Sequence, residues 1–266
     1  MRHLIDIGVN LTHDSFDGDR DAVLERAAAA GVTRLIVTGT SVTASARALE
    51  LAHGHPGRLF ATAGIHPHHA DELDADSADA LKKLLADPAT VAVGECGLDF
   101  FRNFSSEQSQ LDAFAAQLDL AAETGLPVFL HQRDAHDTFM AMLRPARRRL
   151  TGGVAHCFTG GVAQLYEYLD LGLYVGVTGW VCDERRGQAL RDALPEIPLD
   201  RLLLETDAPY LLPRDLKPAP KHRRNEPCHL AHVLERVSEA MNRSADEVAA
   251  AATANAERLF GLAAES

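Results

Sequence analysis

At 266 residues, 46% hydrophobic and 24% charged, the chain has material for one large core. Its formal charge of -12 argues against broad, non-specific attraction to a polyanion, which needs clustered Lys and Arg to displace counterions. No apolar run approaches the roughly 18 residues of a membrane span, the opening Met1 to Asp6 reaches a carboxylate without an apolar leader, and Cys96, Cys157, Cys182 and Cys228 stand singly; no anchor, export, zinc ribbon or disulfide framework is expected, and a cytoplasmic chain is.

Short runs of Val, Ile and Leu alternate with longer segments of helical periodicity, the pattern of βαβ units and a parallel sheet. In chain order the strand candidates begin at Leu4-Ile5-Asp6-Ile7, Leu35-Ile36-Val37, Leu59-Phe60-Ala61-Thr62, Val91-Ala92-Val93, Val128-Phe129-Leu130, Val154-Ala155, Tyr174-Val175-Gly176-Val177 and Leu202-Leu203-Leu204. Helical stretches lie between them, such as Asp19 to Ala30, Glu107 to Thr124 and Gly187 to Leu194, and a last helical region spans Glu226 to Phe260. With no linker or low-complexity tract, the pattern predicts an α/β fold, a (β/α)8 TIM-type barrel forming a single domain over residues 1–266.

The segment after each strand candidate is crowded with polar groups, and barrel enzymes build their sites from those loops. Glu95, His131, His156 and Asp207 each stand at or just past the end of a different strand candidate. Two imidazoles and two carboxylates brought together make a divalent-metal site, in which a shared carboxylate can hold two ions and a water can ionise near neutral pH. His66, Arg133, Arg185, Arg186, Arg214 and Arg224 fall in predicted loops on the same rim, where arginine forks suit phosphate oxygens. His66 and Arg133 rank first among them, because Asp183-Glu184 can neutralise Arg185-Arg186. Trp180, the one tryptophan, is a candidate for stacking a base. Of two basic clusters, Arg144 with Arg147-Arg148-Arg149 reads as a helix end, and Lys217 through Lys221-His222-Arg223-Arg224 sits in a proline-rich loop beside Asp207 in sequence.

The segments Gly64-Ile65-His66-Pro67-His68, Gly94-Glu95-Cys96-Gly97-Leu98-Asp99, His156-Cys157-Phe158-Thr159-Gly160, Glu205-Thr206-Asp207-Ala208-Pro209-Tyr210 and Arg224-Asn225-Glu226-Pro227 resemble, in order, the signatures of the TatD deoxyribonuclease family. The resemblance implies a barrel of the metallo-dependent hydrolase superfamily, a cytoplasmic enzyme, and magnesium-dependent exonuclease action from the 3′ end of DNA. It carries the metal ligands onto Glu95, His131 and His156, and the remaining catalytic aspartate onto Asp207. One departure stands out. Most of the wider family opens with His-x-His after the first strand, where this chain has Gly8-Val9-Asn10, so one metal position loses two imidazoles and keeps at most the Asn10 carbonyl oxygen.

Taken together, the expected enzyme is a monomeric, metal-dependent 3′-5′ exonuclease acting on single-stranded DNA, with RNA as a second substrate, in DNA repair or turnover. Asp207, Glu95 and His66 are its catalytic residues, and His66, Arg133, Arg224 and Asn10 bind substrate. Magnesium fits a site completed by waters and phosphate oxygens, whereas imidazoles suit manganese or zinc, and the depleted ligand set predicts one tight and one weaker ion. A metal-dependent amide or ester hydrolase on the same scaffold is the competing reading, and a non-catalytic barrel the third.

Overall fold

Strand and helix alternate throughout the described residues, 3–218, 220 and 223–264 of the computed structural model. The order is β1 (Leu4–Val9), α1 (Arg20–Ala29), β2 (Val32–Val37), α2 (Val42–Gly54), β3 (Leu59–Ala63), α3 (Ala75–Leu85), β4 (Thr90–Asp99), α4 (Glu107–Thr124), β5 (Val128–Arg133), α5 (His136–Ala146), β6 (Gly153–Ala155), α6 (Val162–Asp170), β7 (Tyr174–Val177), α7 (Gln188–Ala193), β8 (Leu202–Leu204), α8 (Leu230–Met241) and α9 (Ala245–Phe260). The eight strands form one sheet in the order β1 to β8, the strand order expected of a (β/α)8 barrel. Contacts within the chain gather into two compact units: one comprising Met1–Ile36, Cys157–Asp170 and Tyr174–Ser266, the other Val37–His156 and Leu171–Leu173. Lys221 and His222 of the basic loop lie outside the described residues.

In the second unit β3, β4, β5 and β6 run parallel, with Ala63 opposite Val93, Gly97 opposite His131 and Leu130 opposite Ala155. All ten residues of β4 are buried, so Gly94 to Asp99, which resembles a polar loop in sequence, is strand. The register slips between Val93 and Cys96, setting three steps of β4 against two of β5, a bulge of the kind that re-aims side chains near active sites. Close approach of the strands explains the glycines. A Cβ at Gly97 would lie 1.9 Å from the His131 carbonyl oxygen, and its φ of +145° is a conformation other residues rarely adopt.

α4 buries Gln110, Ala113, Phe114, Gln117, Leu118 and Ala121, one helical stripe, between a Ser106 N-cap that accepts from Ser109 N and a left-handed Gly125. The two buried glutamines are spoken for. Gln117 Oε1 accepts from Ile65 N at 2.7 Å and its Nε2 donates to Ile65 O at 2.9 Å; Gln110 Oε1 accepts from Asp99 N at 2.8 Å and its Nε2 donates to the carbonyls of Asp99 and Ser105, each at 3.2 Å. Helix α4 thus holds the ends of β3 and β4 by backbone-mimicking amide pairs.

In the first unit, β7 and β8 pair in parallel, and β8 leads into a segment bonded to the end of β1: Asp207 N donates to Gly8 O at 2.8 Å and Asn10 N to Ala208 O at 2.7 Å. The last helical region expected from Glu226 to Phe260 is two helices. Asn242 turns left-handed with φ 52° to end α8, and the Ser244 side chain accepts from Glu247 N to start α9, so a short polar stretch supplies both a stop and a start. The arginine cluster after α5 forms a short 3-10 turn, Arg147–Arg149; Arg147 donates to the carbonyls of Leu171 and Leu150, and Arg149 pairs with Asp119.

Gly97→Ala is expected to lower stability by about 3 kcal/mol or more, the range of severe backbone and packing faults. Urea unfolding of the variant against the parent measures it, and an unchanged midpoint refutes the close-packing account.

Candidate functional site

The second unit gathers its polar residues around one atom. Glu95 Oε1 lies 2.9 Å from His131 Nδ1, 3.3 Å from His156 Nε2 and 3.4 Å from His66 Nε2. Each donor comes from a different place: Glu95 from β4, His131 from β5, His156 just after β6, and His66 after β3, where its backbone N donates to Thr40 O. Glu95 is only 5% exposed. Burial works to raise its carboxyl, but the His66 and His156 imidazoles and the hydrogen bond with His131 outweigh this and hold it well below the usual carboxylate range.

The three imidazoles are not equivalent. His66 Nδ1 accepts a hydrogen bond from the His68 backbone N at 3.1 Å, so in the neutral ring the proton sits on Nε2, the atom facing Glu95. Burial pushes His66 down to about 4, against the pull of Glu95, so it is neutral near pH 7. His66 is therefore a donor at this site, and its Nε2 is a poor metal ligand although it lies among the ligand atoms. His131 is arranged differently. Its Nδ1 faces Glu95, while Nε2 lies 3.4 Å from Asp99 Oδ2, is buried, and forms no hydrogen bond. Burial would lower His131, but the Asp99 and Glu95 carboxylates prevail and raise it.

Asp99 organises the outer layer. Its Oδ2 also takes His68 Nε2 at 2.8 Å, and its Oδ1 accepts from Phe101 N at 3.0 Å and Arg102 N at 2.9 Å. Although burial opposes ionisation, the neighbouring His131 and His68 imidazoles and the Arg102 amide hold Asp99 far below the usual range. An imidazole with one nitrogen toward a shared carboxylate and the other toward a second carboxylate is the arrangement that orients metal-ligating histidines. A carboxylate with His131 Nδ1 and His156 Nε2 is a donor set suited to a divalent cation, and the unpartnered His131 Nε2 gains its hydrogen bond to Asp99 once Nδ1 gives its lone pair to a metal. The site residues fit such an ion.

In the first unit, Asp207 stands after β8 in the left-handed region with φ 54°, and its Oδ1 accepts from Asn10 Nδ2 at 2.9 Å. Aspartate is one of the few non-glycine residues that enter this region readily, and here it turns the chain after β8. Below it in sequence, Asp6 and Glu205 are fully buried. Asp6 accepts from Thr206 Oγ1 at 2.5 Å and from Thr206 N at 2.9 Å; burial nevertheless dominates and raises its carboxyl to about 7, with Glu205 adding like-charge repulsion. Glu205 Oε1 accepts from Cys157 N at 2.6 Å.

The arginines of the expected rim have other work. Arg224 pairs with Asp19 and Glu226, each at 2.8 Å, with its guanidinium 5.0 Å from the Phe16 ring centroid. Asp183 gathers Arg186 at 2.9 Å and Arg214 at 3.2 Å, and accepts from the backbone N of Arg185. Trp180 is covered by the Arg186 guanidinium at 4.2 Å, so its outer face is occupied. Arg133 alone lies on an element of the Glu95 unit, stacked 4.2 Å over Phe101. A separate grouping of Cys182, Asp215 and His232 is an ion-pair cluster, with Asp215 bound to His232 at 2.7 Å and Arg236 at 2.5 Å. His68, Asp99, Gln110 and Gln117 are the site-building residues that reading by residue type misses. The first two stand inside the quoted motifs, and the glutamines are detectable only as polar residues on an apolar helical stripe.

Eight strands in barrel order with a His/Glu candidate metal centre define the class, a (β/α)8 scaffold carrying residues that could hold a metal ion. Residues 5–261 match the family described as TatD related DNase, and the chain belongs to it. It is 53% identical over 259 residues to the "3'-5' ssDNA/RNA exonuclease TatD" of Erwinia tasmaniensis, covering 97% of this chain and 100% of the relative. It is 55% identical to the protein of the same description from Edwardsiella piscicida, covering 98% and 100%. Among solved structures it resembles a TatD homologue from Escherichia coli k12 with a TM-score of 0.88 at 35% identity over 98% of both chains, and a TatD family hydrolase from Entamoeba histolytica with 0.90 at 27% over 98% and 99%. These likenesses bear out the expected family and barrel fold.

Two variants probe this geometry. Asp99→Asn removes the charge that orients His131 and is expected to weaken divalent-metal affinity about 10- to 100-fold with the fold intact, measured by calorimetric titration with manganese. An unchanged affinity would show that Asp99 does not act through His131. For Asp6 the folded carboxyl holds its proton more tightly than the unfolded one, so its contribution is present below about pH 4 and is lost as pH rises through about 7. Asp6→Asn should flatten the fall in unfolding free energy between pH 4 and 7, and a parallel pH profile in parent and variant would contradict the assignment.

Proposed function

We propose that this chain is a metal-dependent exonuclease that removes nucleotides from the 3′ ends of single-stranded DNA and RNA. The observation that carries the reading is the convergence of three imidazoles on the buried Glu95 Oε1, in a family whose relatives bear the 3′-5′ exonuclease description. Glu95, His131 and His156 would hold the principal divalent cation. When bound, that ion supplies a more acidic water and positive charge against the phosphate. A second, weaker ion at Asp207 fits the loss of imidazoles at Gly8 and Asn10, and magnesium or manganese fits both.

The chain's own groups account for the remaining demands of in-line displacement at phosphorus. His66, neutral with its proton on Nε2, donates to a non-bridging phosphate oxygen, where negative charge builds as water attacks. Asp207 takes the proton from the attacking water, the P–O3′ bond breaks to release the terminal nucleotide as its 5′ phosphate, and the departing 3′ oxygen takes up a proton, returned by Asp207 or supplied by solvent, to leave a free 3′ hydroxyl on the shortened strand. Arg133 adds fixed positive charge. Arg224, whose donors are engaged by Asp19 and Glu226, serves the fold at rest and would reach substrate only by giving up those pairs. A monomeric cytoplasmic enzyme with four reduced cysteines, working in DNA repair or turnover, completes the proposal.

End-labelled single-stranded DNA and RNA are expected to be shortened stepwise from the 3′ end. Excess EDTA should abolish the reaction, magnesium or manganese should restore it, and Glu95→Gln should reduce it by at least about 100-fold in either metal, an order of magnitude consistent with loss of a principal ligand and charge. Undiminished cleavage in EDTA, or a fully active Glu95→Gln variant, would overturn the reading.

A further inference from the structure

Immediately after Asp99 the chain exposes two large aromatics, Phe101 at 54% and Phe104 at 66%. Single exposed apolar residues are ordinary, but leaving a phenylalanine in water forgoes burial, and here two occur within one short loop. The loop is built rather than loose. Asp99 Oδ1 holds the backbone N of Phe101 and Arg102, Gln110 from α4 holds the carbonyl of Ser105, and the Ser105 hydroxyl accepts from Asp71 N at 3.3 Å. Its aromatics also lead to the site. Phe104 meets His68 edge-on with ring centroids 4.7 Å apart, His68 meets His66 at 4.3 Å, and His66 Nε2 lies 3.4 Å from Glu95 Oε1. Arginine accompanies the loop: Arg133 lies 4.2 Å over Phe101 and Arg102 lies 5.7 Å from the same ring centroid.

Exposed rings on a fastened loop, flanked by guanidinium groups and linked by packed imidazoles to the reacting carboxylate, match what an unpaired nucleic acid strand needs. Bases stack on aromatic faces whatever their identity, and arginines meet the intervening phosphates. The negative charge of the whole chain makes such a local arrangement more necessary, because general electrostatic attraction is absent. We propose that Phe104 forms the stacking platform for bases adjoining the scissile 3′-terminal phosphodiester, while Phe101 packs beneath the Arg133 guanidinium and steadies that charge rather than offering a face of its own. This rests on the exonuclease reading and adds the residues that select a single strand, since bases in a duplex are already stacked on their neighbours. The shared chemistry is a single strand with unpaired bases, from either DNA or RNA.

The test compares steady-state shortening of single-stranded DNA and RNA oligonucleotides by the parent and the variants Phe104→Ala, Phe104→Leu and Phe104→Tyr. Phe104→Ala should raise KM on the order of ten-fold for both polymers, the scale of one lost base stack, with a much smaller change in kcat. Phe104→Tyr should restore KM and Phe104→Leu should not. An oligonucleotide with an abasic residue next to its 3′ end should raise the parent's KM similarly and add nothing further in Phe104→Ala, because the two changes remove one contact. Unchanged KM in Phe104→Ala, full rescue by leucine, or additive losses with the abasic strand would each overturn the platform. Failure of the exonuclease reading would be seen separately, as a parent enzyme that shortens neither polymer.

Discussion

The structure turns on a buried negative charge. A carboxylate removed from water is tolerated only when compensated, and Glu95 is compensated by imidazoles alone, with no lysine or arginine against it among the described contacts. Of its three partners, His66 is pushed by burial toward its neutral form, with its proton directed at Glu95. That leaves the centre electrostatically unfinished in a way a divalent cation completes. The same reasoning separates two roles that residue type cannot: His131 and His156 can give a lone pair, whereas His66 has committed its Nδ1 to the His68 amide.

Placing that charge imposes demands on the backbone. The bulge between Val93 and Cys96, together with a glycine at position 97 pressed against the His131 carbonyl, lets β4 run its full length beside β5 while both Glu95 and Asp99 reach His131. Asp99 then joins the inner cluster to the loop that bears Phe101 and Phe104, so one side chain serves both. In the other unit, Asp207 takes a left-handed backbone with its carboxylate held by Asn10, and the buried Asp6 holds a proton more readily than an ordinary carboxyl.

Much of this is legible in the residues, and the failures have physical reasons. Strands rich in β-branched and leucine residues betray their positions, and β7, β8 and α4 match at both or nearly both ends, because apolar runs and helix caps are local signals. Strand β4 runs longer than expected because Gly, Glu and Asp are poor strand formers taken singly, and tertiary burial overrides that preference. Glu95, His131 and His156 announce themselves because carboxylate and imidazole after apolar strands are conspicuous. Asp99 and His68 stand in the same motifs and do not, since their importance lies in what they touch. Arg224 shows another limit of residue type: a basic residue in a proline-rich loop looks available for phosphate, and only the fold reveals its pairs with Asp19 and Glu226.

The glutamines of α4 carry a consequence for motion. Because Ile65 N and Asp99 N donate to side chains rooted in one long helix, these two amides belong to that helix's cooperative unit although they sit at strand ends. Neither can exchange with solvent by local fraying alone; a Gln110 or Gln117 bond must open, and both side chains are wholly buried. The segments bearing His66 and Phe101 are thus each fastened, where they begin, to the buried face of one packed helix.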